Sequence, residues 1–184
     1  QDTNDITPVT NEVRFMIGTE NCLGTRAISD GTGATQLSWA VFNDQGELIH
    51  KKATKNDVTD LLTENGHTMS ITLAKGQTYR VAFWAQNPEC EAYTISDDMK
   101  VTVDYAGINN DETRDAFFAS SEPFTVSGST VVSVVLKRPF AQVNVGATPW
   151  DLQYALESGN DVQTSGATIK HVANSIDLFD GSVE

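Results

Sequence analysis

The chain has 184 residues, and its 12 Lys and Arg against 25 Asp and Glu leave a formal net charge of -13. Such a surface repels phosphate backbones and excludes nucleic acid as a partner. It carries no run of about 18 apolar residues that could cross a membrane as a helix.

Helix formers are sparse, while Val, Thr, Ile and aromatic residues recur between Gly, Asn, Asp and Ser clusters, which is an all-β composition. The length suits a single domain over residues 1–184 with a sizeable core. The polar start, Gln1-Asp2-Thr3-Asn4-Asp5, lacks the apolar stretch of a signal peptide. Residues 1–11 therefore read as linker or disordered chain, with any export signal expected to be already removed.

In Glu12-Val13-Arg14-Phe15-Met16-Ile17-Gly18-Thr19, Val13, Phe15 and Ile17 alternate with Arg14, Met16 and Gly18. This predicts a strand with Val13, Phe15 and Ile17 in a core. Gly24-Thr25-Arg26-Ala27 and Ser29-Asp30-Gly31-Thr32-Gly33 then form an exposed loop, so residues 12–26 join a core strand to a protease-accessible arginine. A core strand that can be cut loose is the device of proteins that polymerise by strand exchange. An ordinary first strand and loop accounts for the same residues.

Gln36-Leu37-Ser38-Trp39-Ala40-Val41-Phe42, the turn Asn43-Asp44-Gln45-Gly46 and Glu47-Leu48-Ile49-His50-Lys51 read as a hairpin, with Trp39 sharing the core phase of Leu37 and Val41. Within residues 55–65, Val58, Leu61 and Leu62 fall at helical spacing before Gly66, predicting a helical turn or two. Met69-Ser70-Ile71-Thr72-Leu73 and Tyr79-Arg80-Val81-Ala82-Phe83-Trp84-Ala85 flank Lys75-Gly76-Gln77 as a second hairpin. Weaker strands follow at residues 100–105 and 116–119.

Thr130-Val131-Val132-Ser133-Val134-Val135-Leu136 is the strongest apolar run, and Pro139, which lacks a ladder donor, marks a bulge before a strand over residues 140–146. Thr148-Pro149-Trp150-Asp151 has the form of a capping box with proline at the first helical position. It predicts a helix from Pro149 to Glu157 stopped by Ser158-Gly159. Further β segments lie at residues 167–172 and 176–179. About nine strands and one short helix imply an antiparallel two-sheet β-sandwich, with Val13, Phe15, Ile17, Val41, Phe83, Val134 and Val143 in its core.

Chemistry is thinly represented. No Gly-x-Ser-x-Gly elbow or phosphate-binding glycine loop is present, and His50, His67 and His171 are scattered, so no catalytic residue, metal or cofactor is expected. Asp97-Asp98 and Asp111-Glu112 read as solvated loops, although residues 109–115 offer oxygen ligands without calcium-loop spacing. Cys22 and Cys90 would close a loop of roughly 70 residues worth roughly 4 kcal/mol in an oxidising compartment, or stay as thiols in the cytosol. Trp84 is out of phase with Tyr79, Val81 and Phe83, so it either faces outward, where it could stack on a sugar ring, or is buried between sheet and loop.

Leu136-Lys137-Arg138-Pro139-Phe140-Ala141-Gln142-Val143-Asn144-Val145-Gly146 resembles the fimbrillin superfamily of Bacteroidales, the subunits of type V pili and related surface lipoproteins. Thr25-Arg26-Ala27, Trp39-Ala40-Val41-Phe42 with Asp44-Gln45-Gly46, Gly76-Gln77-Thr78-Tyr79 and Ile176-Asp177-Leu178-Phe179-Asp180-Gly181 fit in the same order, over residues 12–181. The resemblance implies an amino-terminal, transthyretin-like Greek-key sandwich, exported as a lipoprotein and processed at Arg26-Ala27 by an arginine-specific protease. The cut would free the first strand, and the vacated groove would accept a strand from another subunit.

The partners so implied are other fimbrial subunits, or a second sandwich domain of the same protein, and a host or bacterial surface ligand. Membrane attachment would run only through a lipid on a residue preceding this chain, placing the protein at the outer membrane or in an extracellular fimbrium. The secretory setting favours a Cys22 to Cys90 bridge, which would hold a cut strand in place. The rival reading is a non-polymerising glycan-binding module with Trp84 as its platform.

Overall fold

Alternation builds the first sheet. In a computed structural model that describes residues 9–20, 31–52, 60–62, 66–106, 111–141, 147–162 and 168–184, strand β1 (Thr10–Thr19) is buried at every second residue from Val13 to Ile17. Strand β2 (Gln36–Asn43) leads through a turn to β3 (Leu48–Lys52). Asn43 holds that turn, its Oδ1 accepting from the backbone N–H of Gln45 at 3.0 Å and of Glu47 at 2.8 Å.

Strand β4 (Asp60–Leu61) pairs with β2, so these two residues of the expected helical segment 55–65 are strand. Residues 53–59 and 63–65 lie outside the described residues. Strands β5 (His67–Ala74) and β6 (Thr78–Gln86) follow. They are not a hairpin, because β5 pairs with β1 and β6 with β2, and the turn at Lys75 and Gly76 carries the chain from one sheet to another.

The remaining strands are β7 (Tyr93–Ile95), β8 (Lys100–Val103), β9 (Ala116–Ser120), β10 (Phe124–Thr125), β11 (Thr130–Leu136) and β12 (Ser175–Asp177). Helix α1 (Pro149–Glu157) has the expected box, with Thr148 Oγ1 accepting from the Asp151 N–H and the Asp151 carboxylate from the Thr148 N–H. Residues 168–172 form no strand, and residues 142–146, Val143 among them, lie outside the described residues.

The chain divides into two compact units, Gln1–Phe140 with Asn174–Glu184, and Ala141–Ala173. In the first unit a sheet ordered β11-β1-β5 faces a central sheet ordered β10-β6-β2-β3, to which β4 and β9 add, and β12-β8-β7 form a third. The all-β sandwich is thus present, with twelve strands among the described residues and one ladder that is not antiparallel: β1 runs parallel to β11.

The central sheet is apolar on both faces. Leu37, Val41, Val81 and Phe83 meet Val13, Phe15, Ile17 and Val134 of the first sheet, while Ala40, Phe42, Ala82 and Trp84 meet Val101 and Ile176 of the third. Strands covered on both sides read as unbroken apolar runs rather than alternation, as Val81-Ala82-Phe83-Trp84-Ala85 does.

Gly66 enters β5 at φ 77°, and a Cβ there would stand 2.3 Å from the Ile17 carbonyl oxygen of β1. Gly66→Ala combines a left-handed backbone with that clash and is expected to cost at least about 1–3 kcal/mol in urea unfolding. A value near zero would mean that β5 and β1 do not approach this closely.

Candidate functional site: the first strand and its groove

Strand β1 sits between two neighbours and is held from both. Toward β5 it is antiparallel, from Thr10 opposite Ala74 to Ile17 opposite His67. Toward β11 it is parallel, from Val13 opposite Thr130 to Thr19 opposite Leu136. Its ends are tied as well: the Lys75 N–H donates to the Val9 carbonyl at 2.7 Å, Asn11 Nδ2 to the Ser127 carbonyl at 2.8 Å, and the Glu20 N–H to the Leu136 carbonyl at 2.9 Å.

Val13 and Phe15 are fully buried and Ile17 is 3% exposed. Phe15 is the middle knob, its ring edge-on to Phe83 at 5.7 Å and to Phe124 at 5.8 Å. The other side of the strand faces water, with Met16 52% exposed. Removing β1 would uncover the facing edges of both β5 and β11 and empty three side-chain sockets. Unpaired edges of that kind invite another strand.

The sequence located Val13, Phe15 and Ile17 by period alone. It missed Phe124, in the short β10, because Glu122-Pro123-Phe124 carries no periodic signal. Arg26, Ala27 and Cys22 lie outside the described residues. Cys90 is a buried free thiol in a turn where its N–H donates to the Asn87 carbonyl at 3.0 Å.

Trp84 offers no platform. It is fully buried, its Nε1–H donates to Gln86 Oε1 at 2.9 Å, and its ring meets Tyr93 at 5.3 Å and Phe140 at 6.1 Å. The outward phase of Trp84 is correct, but the third sheet covers that face. In the same cluster the Tyr93 hydroxyl donates to the Arg114 carbonyl, and burial, with Cys90 adding, pushes the Tyr93 phenol above its ordinary value.

The acidic loops are tied up locally. Asp111 accepts from the Thr113 hydroxyl at 2.6 Å and the Thr113 N–H at 3.0 Å and pairs with Arg114, and the hydroxyl bond chiefly holds its carboxyl below the usual range. Lys51 Nζ lies 2.7 Å from Asp97 Oδ1. The Ser96 hydroxyl bonds Asp98 and lowers its carboxyl likewise. No group of three or more metal-ligating side chains occurs among the described residues.

The ordered motifs converge on the fold rather than on a pocket. Arg138 makes a two-pronged bond to Asp115, both distances 2.7 Å, and lies over the Phe117 ring. Lys137 and Phe118 exchange backbone bonds at 2.8 and 3.0 Å. Phe179 packs on Phe42, beneath Arg80 and beside the turn glycine Gly46.

This arrangement of sheets has a counterpart among solved structures. The fimbrial anchor protein Mfa2 from Porphyromonas gingivalis superposes with a TM-score of 0.50 at 13% identity, over 71% of this chain and 51% of that one. A putative polysaccharide binding protein from Bacteroides thetaiotaomicron gives 0.44 at 14% identity, over 67% and 46%. A fimbrial assembly protein from Parabacteroides distasonis gives 0.35 at 13%, over 72% and 53%. The chain spans about half the length of each, and at 13% identity the likeness to Mfa2 is one of fold alone. No curated protein matches it in sequence. Residues 7–184 match the profile of a family described as of unknown function, DUF6562.

Proposed function

For a chain that belongs to the family of unknown function DUF6562, we propose the role of a structural or adhesive subunit of a cell-surface fimbria whose first strand is a detachable core element. The observation that carries this reading is the place of β1, paired on both edges and buried through Val13, Phe15 and Ile17. The fold shared with a fimbrial anchor protein supports it. A cut after Arg26 would leave β1 held only by noncovalent contacts, and a strand from another fimbrial subunit or a second sandwich domain would replace it. The protein would be carried at the outer membrane through a lipid preceding this chain and would act without catalysis.

Limited digestion of the intact chain with an arginine-specific protease, under reducing conditions so that no Cys22 to Cys90 bridge masks release, tests the first step. The expected result is early cleavage between Arg26 and Ala27, with the amino-terminal fragment co-eluting until mild denaturant is added. Cleavage at Arg14, Arg80, Arg114 or Arg138 ahead of Arg26 would overturn it.

A further inference from the structure

We propose that the free edge of β11 is a contact with a second copy of this chain, the two strands pairing antiparallel about a two-fold axis at Ser133. In the sheet ordered β11-β1-β5, β11 has a ladder partner on one side only. The Glu20 N–H donates to the Leu136 carbonyl, so Leu136 directs its backbone groups at β1, and by alternation Thr130, Val132 and Val134 do the same. Val131, Ser133 and Val135 point theirs the other way. Among the described residues nothing answers them. The edge closes just beyond, where Lys137 exchanges both backbone bonds with Phe118.

Strand edges are ordinarily guarded by charge, proline or brevity. Strand β3 carries His50, Lys51 and Lys52, and β10 is two residues long and follows Pro123. At the other end of the first sheet, the exposed side chains of β5 are the hydroxyls of Thr68, Ser70 and Thr72. Strand β11 is unguarded: Thr130–Leu136 contains no charge, proline or glycine, and Val131 and Val135 are 57% and 54% exposed. Met16, opposite Ser133 on β1, widens the apolar strip.

The pattern selects the occupant. The open run Val131-Val132-Ser133-Val134-Val135 reads the same in both directions. Set antiparallel on its own copy, it places Ser133 opposite Ser133, Val131 opposite Val135 and Val132 opposite Val134. The three residues whose backbone groups point outward then form hydrogen-bonded pairs, about six bonds in all, and valine meets valine on both faces. Two chains of net charge -13 repel each other, but residues 123–150 contain no Asp or Glu, so this edge brings two copies together without setting acid against acid along the strand. A basic partner would find no carboxylate on β11 to pair with. The contact leaves β1 in place, so it stands apart from strand exchange.

Sedimentation equilibrium of the intact, uncut chain is the test. A reversible dimer is expected, with a dissociation constant of roughly 10–100 µM, the weak end that suits so short a contact. Raising the salt should tighten it, because screening relieves the repulsion of two acidic chains. Ser133→Lys sets two like charges opposite each other and should weaken it by about tenfold or more. Ser70→Lys, on the water face of β5, should leave it unchanged. Ser133→Cys should cross-link to its copy under mild oxidation, above the baseline of the unsubstituted chain, since directly opposed residues lie about 5.5 Å apart at Cα. Val131→Cys should not, because its own counterpart lies about 13 Å along the paired strand. The two cysteine variants decide the matter even where Ser133→Lys fails to fold. A chain still monomeric at about 1 mM, a dimer indifferent to Ser133→Lys, or cross-linking by Val131→Cys as readily as by Ser133→Cys would each overturn the proposal. So would open-ended polymers, which mark β11 of one copy seated on β5 of the next.

Discussion

Phe15→Ala should lower the stability of the chain by about 3–5 kcal/mol. The ring is fully buried, and its two edge-on partners, Phe83 and Phe124, belong to the central sheet, so the substitution opens a cavity between two sheets. A domain of this kind has about 5–15 kcal/mol in total, so this one side chain governs a large fraction of it. Urea unfolding should show the midpoint falling with little change in slope. Met16→Ala, next along the same strand but 52% exposed, is the control, and should stay within about 0.5 kcal/mol. Similar losses for the two variants would mean that β1 is not held by its inward side chains, and the idea of a socketed strand would fail with it.

Where one face of a strand meets water, the sequence was readable. The period-two pattern of β1 identified Val13, Phe15 and Ile17, and local hydrogen-bond chemistry identified α1, since Thr148, Pro149 and Asp151 act within one turn. Reading failed where the partner is remote. Nothing local to Lys75-Gly76-Gln77 says whether β5 and β6 pair with each other or with strands of different sheets, because a short turn serves both. Nor does alternation in β1 and β11 reveal that they run parallel, since strand direction leaves side-chain period unchanged.

Trp84 shows the same limit in another form. Its phase relative to Val81 and Phe83 was right, but phase gives the face and not what covers it. The signal was the absence of any polar residue from Val81 to Ala85, which marks a strand buried on both faces. In α1 the capping box was legible.

A chain cut between β1 and β2, freed of its amino-terminal fragment in urea and diluted back, should refold only when a peptide of residues 9–20 is present, and should aggregate without it. The three inward side chains are worth roughly 1.5–3 kcal/mol each, a sum comparable with the whole stability of a domain. The loss of two ladders also leaves the edges of β5 and β11 exposed to each other's counterparts in neighbouring molecules. Specificity should reside in the sockets. A peptide carrying Phe15→Ser should not rescue, because the middle socket between Phe83 and Phe124 stays empty, whereas one carrying Arg14→Ser and Met16→Ser should, because those side chains face water. The inward order Val-x-Phe-x-Ile is nearly its own reverse. A peptide of reversed sequence would still place an aromatic in the middle socket, antiparallel to β11 and parallel to β5, and should rescue in part. Refolding yield is read from tryptophan emission and gel filtration. Full recovery without any peptide would show that β1 is dispensable to the core, and rescue by the Phe15→Ser peptide would show that the groove selects backbone alone.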